Sequence, residues 1–219
     1  MRLKTSFFII SFLVAALLQA QDFRGVIKSE ITYEDVSVEM KPVLRMLPTQ
    51  SNTYIRDNMA KVVTPSPNGE QIVIMDMNTN EMLQLTDAMG NKIAVKTDLQ
   101  ELKEKQEAED PELEFSDETK EILGYQCKKV WYEKDGNEVI IYYTEELPNV
   151  NYDPNFKTFE GFPLQIKTIM ENMTIVQTVT EVSEEKVKKI KMKVPGDYKK
   201  MTLEEVLEMQ RKASAGAGM

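Results

Sequence analysis

Apolar and polar residues alternate one for one in short runs along most of this chain, and that limits the backbone to extended segments. Ile27, Ser29, Ile31 and Tyr33 fall on one side of the first run, with Lys28, Glu30, Thr32 and Glu34 on the other. A period of two sends one row to a core and the other to water only in a strand, here a half-buried antiparallel one. Further β-prone runs cover residues 53–63, 71–77, 82–85 and 92–96, with turn-forming residues at 65–69, 78–80 and 90–91 and a short helix near 43–46. These runs predict a meander of hairpins.

Residues 98–110 are mostly Glu, Lys and Gln with Leu99 and Leu102 between them, the pattern of a solvent-facing helix bordering the sheet. Strand character returns from Gly124. Residues 125–133 and 139–144 flank Lys134-Asp135-Gly136, where the Asp-Gly pair suits a tight hairpin. After a Pro- and Asn-rich loop at 147–160, Leu164, Ile166, Thr168 and Met170 alternate with Gln165, Lys167, Ile169 and Glu171, and residues 174–182 return. Ile190, Met192 and Val194 oppose Lys189, Lys191 and Lys193, which predicts a last strand whose lysines guard an exposed sheet edge. Thr202 and Glu205 form a capping box for a short helix with Leu203, Val206 and Leu207 on its apolar side. Residues 213–219 are expected to be a flexible tail.

The first residues follow the order of an export signal: Arg2 and Lys4, the apolar run 7–18, then Gln19-Ala20-Gln21 with a cut expected after Ala20. That run is too short to span a bilayer, which takes about 20 apolar residues. No Cys lies near the cut, so no lipid anchor is expected, and the destination is the periplasm or beyond it. Removing the first twenty residues takes away two basic side chains and no acidic one, leaving 199 residues, one domain at 21–212, and a formal charge of −11. That acidic balance repels nucleic acid and anionic headgroups, and serves solubility.

Histidine is absent, which removes Ser-His-Asp and Cys-His nucleophile systems, imidazole zinc sites and the usual proton shuttle at neutral pH. Cys127 is the single cysteine, so no intramolecular disulfide can form, and it reads as a small buried residue. The acids between Glu101 and Glu114 crowd a polar segment without the aromatic residues of a sugar site or the loop spacing of a calcium hand. No phosphate-binding glycine loop occurs. The expectation is a non-enzymatic protein without metal or cofactor. Fourteen methionines suit either an adaptable apolar cavity or ordinary core filling. Trp131, Tyr132, Tyr142 and Tyr143 read as one aromatic cluster across the Asp-Gly hairpin.

Four stretches carry a resemblance: Ile122-Leu123-Gly124-Tyr125-Gln126-Cys127-Lys128-Lys129, Tyr142-Tyr143-Thr144-Glu145-Glu146-Leu147, Gly161-Phe162-Pro163-Leu164 and Val194-Pro195-Gly196-Asp197-Tyr198. In their order they resemble an uncharacterised family of exported bacterial domains, domain of unknown function 4412 type. That family is similar in fold to the LolA/LolB-like periplasmic lipoprotein carriers. The resemblance implies a mainly β fold with some α (α+β), a curved open antiparallel sheet like a half-barrel, with helices covering an apolar cavity. It brings no catalytic residues. The expected function is a monomeric periplasmic binder or carrier of a lipid, acyl chain or other hydrophobic small molecule. An interaction or sensor module among envelope proteins is the alternative. Ile27, Ile31, Tyr33, Leu164, Ile166 and Met170 are the expected ligand-binding wall, because they alternate against polar neighbours.

Overall fold

The computed structural model describes residues 23–98, 112–134, 136–147 and 161–216. The export signal, the acidic segment at 99–111 and most of the loop at 147–160 lie outside the described residues. One sheet contains β1 (Gly25–Glu34), β2 (Gln50–Arg56), β3 (Met59–Ser66), β4 (Gly69–Asp76), β5 (Glu81–Ala88), β6 (Asn91–Asp98), β7 (Glu114–Ile122), β8 (Tyr125–Lys134), β9 (Asn137–Thr144), β10 (Phe162–Ile169), β11 (Thr174–Ser183) and β12 (Lys199–Met201). Across the sheet the order is 12-6-5-4-3-2-1-11-10-9-8-7. Pairing is antiparallel everywhere except between β12 and β6.

The sheet is open and mainly antiparallel, as the alternation requires. The expected covering helices are not there: among the described residues helix amounts to a 3-10 segment (Lys41–Met46) and α1 (Leu203–Gly216), and α1 meets the sheet at β6. The capping box at the start of α1 is formed. Glu205 N–H donates to Thr202 Oγ1 at 3.2 Å, and Thr202 N–H donates back to Glu205 Oε2 at 2.8 Å.

Three of the hairpins close through two-residue turns of one geometry. Asp57-Asn58, Met89-Gly90 and Leu123-Gly124 all have positive φ at both positions, the geometry whose twist matches paired strands. The first of them splits the run at 53–63 into β2 and β3.

The register sorts side chains onto two faces. Val26, Tyr54, Lys61, Ile74, Leu83 and Lys96 stand in one row across β1 to β6. Their neighbours Ile27, Thr53, Val62, Val73, Gln84 and Val95 stand on the other face. On the Val26 face, Val26, Ile74, Leu83, Leu85 and Ala94 form a core with Val187 and Ile190. Those last two belong to residues 184–198, expected as an edge strand. The segment is instead a strap laid across the face of the sheet, with Met192, Val194 and Tyr198 also packed inward. Arg56 Nη1 donates to the Val187 carbonyl at 2.9 Å at one end, and Lys92 holds Asp197 at 2.7 Å at the other. The alternation of Ile190, Met192 and Val194 against lysines was therefore a true facing pattern. What the pattern lacked was the partner, because an extended segment buries one side equally well beside a strand or on top of a sheet.

Candidate functional site

Five residues of the expected wall, Ile27, Ile31, Tyr33, Leu164 and Ile166, share the Ile27 face, and Met170 follows the end of β10. Through the ladders, Ile31, Gln177, Ile166, Ile141 and Val130 form one row from β1 to β8, and Tyr33, Ile175, Thr168, Val139 and Tyr132 form the next. Ile27, Ile31 and Leu164 are buried, with Leu164 0% exposed. Tyr33, Ile166 and Met170 are half-buried. Leu164 packs in a cluster with Ile27, Ile55, Cys127, Phe162 and Val179. Ile166 lies against a second cluster of Val130, Tyr132, Val139, Ile141 and Tyr143. The wall is thus filled by the chain's own side chains toward β8 and β9, and stays partly open around Ile166, Thr168, Ile175 and Gln177. The β8 and β9 members were missed, although clean alternation in those strands carries the signal.

The Tyr33 hydroxyl donates to the Pro48 carbonyl at 2.7 Å, and burial pushes its phenol above the usual value. Cys127 is fully buried, and desolvation raises its thiol, so it is not poised as a nucleophile. The aromatic cluster is split by the pleat. Tyr132 and Tyr143 are buried on the Ile27 face, while Trp131 and Tyr142 occupy the opposite one. There Tyr142 donates to Glu118 at 2.6 Å, Lys129 pairs with Glu118 at 2.9 Å, and Lys120 lies 5.1 Å from the Tyr142 ring centre. Burial, then the Glu118 carboxylate, push the Tyr142 phenol up to about 12.

Methionines do not gather on the wall. Met75 and Met173 are buried in the chain's own packing, whereas Met46, Met77, Met89 and Met209 are exposed. A shallow depression of about 250 Å³ lies away from the wall, between the 3-10 segment and the ends of β2 and β3, lined by Leu44, Arg45, Leu47, Thr49, Gln50, Pro65, Ser66 and Pro67. Among the described residues no group of His, Cys, Asp and Glu is placed to hold a metal ion, and no helix is long and apolar enough to cross a membrane.

Two solved structures of PNGF-II, in two space groups, superpose with TM-scores of 0.55 and 0.54 at 14% and 15% identity. Each covers 85% of this chain but only 33% and 32% of the PNGF-II chain, so this chain spans about a third of the length of those structures. Mycobacterium tuberculosis lipoprotein LppX overlaps more loosely, with a TM-score of 0.37, 11% identity, and 75% of this chain and 89% of that one covered. Among curated proteins nothing matches the chain. The resemblance to the 4412-type domains and the lipoprotein carriers is corrected, because a different family model fits. Its motifs were too general: Leu123-Gly124 is a hairpin turn and Pro195-Gly196 a turn ending the strap, pieces that many antiparallel sheets need. The family model that matches runs over residues 29–210, and the chain belongs to that family, N-glycanase peptide, N-terminal domain.

Proposed function

We propose that this chain is an exported, non-enzymatic recognition module that docks a partner protein through the partly open middle of the Ile27 face. One observation carries this reading: the wall expected to enclose an acyl chain is occupied by Val130, Ile141 and Leu164, each 0% exposed. Half-buried Ile166, Ile175 and Tyr33, with Gln177 and Thr168 beside them, offer the mixed apolar and polar surface of a non-obligate interface. The family name supports a module's role, since it describes the N-terminal domain of an N-glycanase, and the matched PNGF-II chains are about three times as long as the region shared.

The test is co-purification of the exported chain with its partner, repeated with Ile166→Asp and Ile175→Asp. A stoichiometric partner lost in both variants is the expected result. Release of glycan from an N-linked glycopeptide by the chain alone would overturn the non-enzymatic part. The second reading is a lipid carrier, favoured by the half-buried apolar residues on the same face. Native mass spectrometry with added fatty acids decides it, and a bound acyl chain lost in Ile166→Asp would replace partner docking by that reading.

A further inference from the structure

The formal charge of −9 conceals a segregation that only the fold makes visible. Between residues 184 and 200 the chain carries Lys186, Lys188, Lys189, Lys191, Lys193, Lys199 and Lys200 against Glu184, Glu185 and Asp197. All seven lysines are exposed. None makes an ion pair with a described residue, which is also true of Lys41, Lys61, Lys120 and Lys134, while Lys28, Lys92, Lys96, Lys128, Lys129 and Lys167 are paired. Nearby acids are engaged already: Asp57 by Arg24 and Arg56, Asp197 by Lys92, and Glu81 by Lys96. The strap's geometry explains the arrangement. Val187, Ile190, Met192 and Val194 are committed inward to the core on the Val26 face, so Lys186, Lys188, Lys189, Lys191 and Lys193 stand out from the sheet together, while Lys199 and Lys200 follow in β12 and alternate between its faces.

We propose that this lysine strap is an adhesion surface for an anionic lipid bilayer. Its chemistry favours a bilayer over other polyanions. Arginine, the residue of bidentate phosphate recognition, is absent from 184–200. Tyr198, the segment's only aromatic residue, is packed inward beneath Lys92, which leaves no platform for stacking bases. What remains is a set of flexible point charges on one exposed ridge, the form that adheres to a diffuse negative surface. Each lysine near such a surface contributes about 1 kcal/mol, and the attraction decays within a Debye length. The acidic remainder of the molecule then orients the strap toward the membrane. The surface is opposite the Ile27 face, so it does not depend on partner docking there.

The experiment is co-sedimentation of the full chain, without its first twenty residues, with vesicles of equal parts phosphatidylcholine and phosphatidylglycerol. Binding at low salt, absent on pure phosphatidylcholine and lost at high salt, is expected. The triple variant Lys189→Gln, Lys191→Gln, Lys193→Gln should weaken binding about a hundredfold, since three contributions of about 1 kcal/mol each combine. A control with the same charge change elsewhere, Lys128→Gln, Lys134→Gln, Lys167→Gln, should bind as the unaltered chain does. Equal loss in both triples, binding indifferent to lipid charge, or retention on polynucleotide without vesicle binding would each overturn the proposal. Circular dichroism of both variants establishes that they are folded.

Discussion

The two wings of the sheet differ in how many faces they bury. In β8 and β9 one side is buried and the other wet: Val130, Tyr132, Val139 and Ile141 point to the Ile27 face, while Lys129, Tyr142 and Gln165 meet in a polar lattice behind them. In β2 to β6 both sides are covered. Ile74, Leu83 and Leu85 lie beneath the strap, and Ile55, Ala60, Met75 and Val95 are buried on the reverse. β1 is the pivot between the two, since its adjacent residues Val26 and Ile27 belong to different clusters. The difference teaches that strict alternation marks a one-sided strand. Adjacent buried pairs such as Ile74-Met75 and Ala94-Val95 mark a strand with something lying on each face.

The largest expected effect tests whether the wings form one cooperative body. Leu83→Ala under the strap and Ile141→Ala in the other wing should each lower unfolding stability by ~2–5 kcal/mol, the range for emptying a packed core site. Both should shift one shared transition in urea. Two separated transitions, with each variant moving only one, would break the comparison into independent units.

Ile190→Ala should cost about 2 kcal/mol, the low end of that range, because a strap without ladder pairing can relax into the space. Its sharper signature is local: trypsin should cut among Lys188, Lys189, Lys191 and Lys193 faster, while the β8 and β9 amides keep their exchange protection. Equal loss of protection in both wings would mean the strap is no separate layer.

Leu123 sits at φ 55° in the turn between β7 and β8, with 48% of its surface exposed. A non-glycine residue there loses ~1–2 kcal/mol to backbone crowding, which Asn tolerates better. Leu123→Asn should raise the thermal midpoint, by an amount worth up to about 1 kcal/mol. A fall would show that the leucine side chain packs usefully.

The smallest effect reads the polar lattice. Tyr142, pushed up to about 12, stays neutral where an unfolded tyrosine has ionised. Its contribution to stability is therefore complete below pH ~10 and is lost as pH climbs through the folded value. Difference absorbance between the parent chain and Tyr142→Phe isolates this titration. Glu118→Gln should bring it down without abolishing the shift, because burial is the larger cause. No change on removing that carboxylate would show that the hydrogen bond does not matter in solution.

Much of the site was legible for the same reason as the strands. Period alone assigned Ile27, Ile31, Tyr33, Leu164, Ile166 and Met170 to one face; the ladders place Ile27, Ile31, Tyr33 and Ile166 there, Leu164 joins them by packing against Ile27, and Met170 lies beyond the end of β10. Period could not say whether the space above them was empty, since that depends on which distant side chains fill it. The aromatic cluster failed for a related reason: sequence proximity joined Trp131 to Tyr132 and Tyr142 to Tyr143, but adjacent residues in a strand point to opposite faces. β7 was hidden because seven of its nine residues are exposed and five are charged, as suits an outermost strand, so they show no buried row.

The sequence by itself determined local conformation: extended runs, turns near 65–69, 78–80 and 90–91, the capping box at Thr202, and which side of each run is greasy. These follow from backbone sterics and the two-residue pleat, both set by near neighbours. Only the tertiary structure decided that residues 184–198 lie on the sheet rather than in it, and that Lys186, Lys188, Lys189, Lys191 and Lys193 consequently stand exposed along one strap. Burial satisfies an apolar row wherever it finds a matching surface, so the partner is chosen by long-range packing that no local pattern encodes.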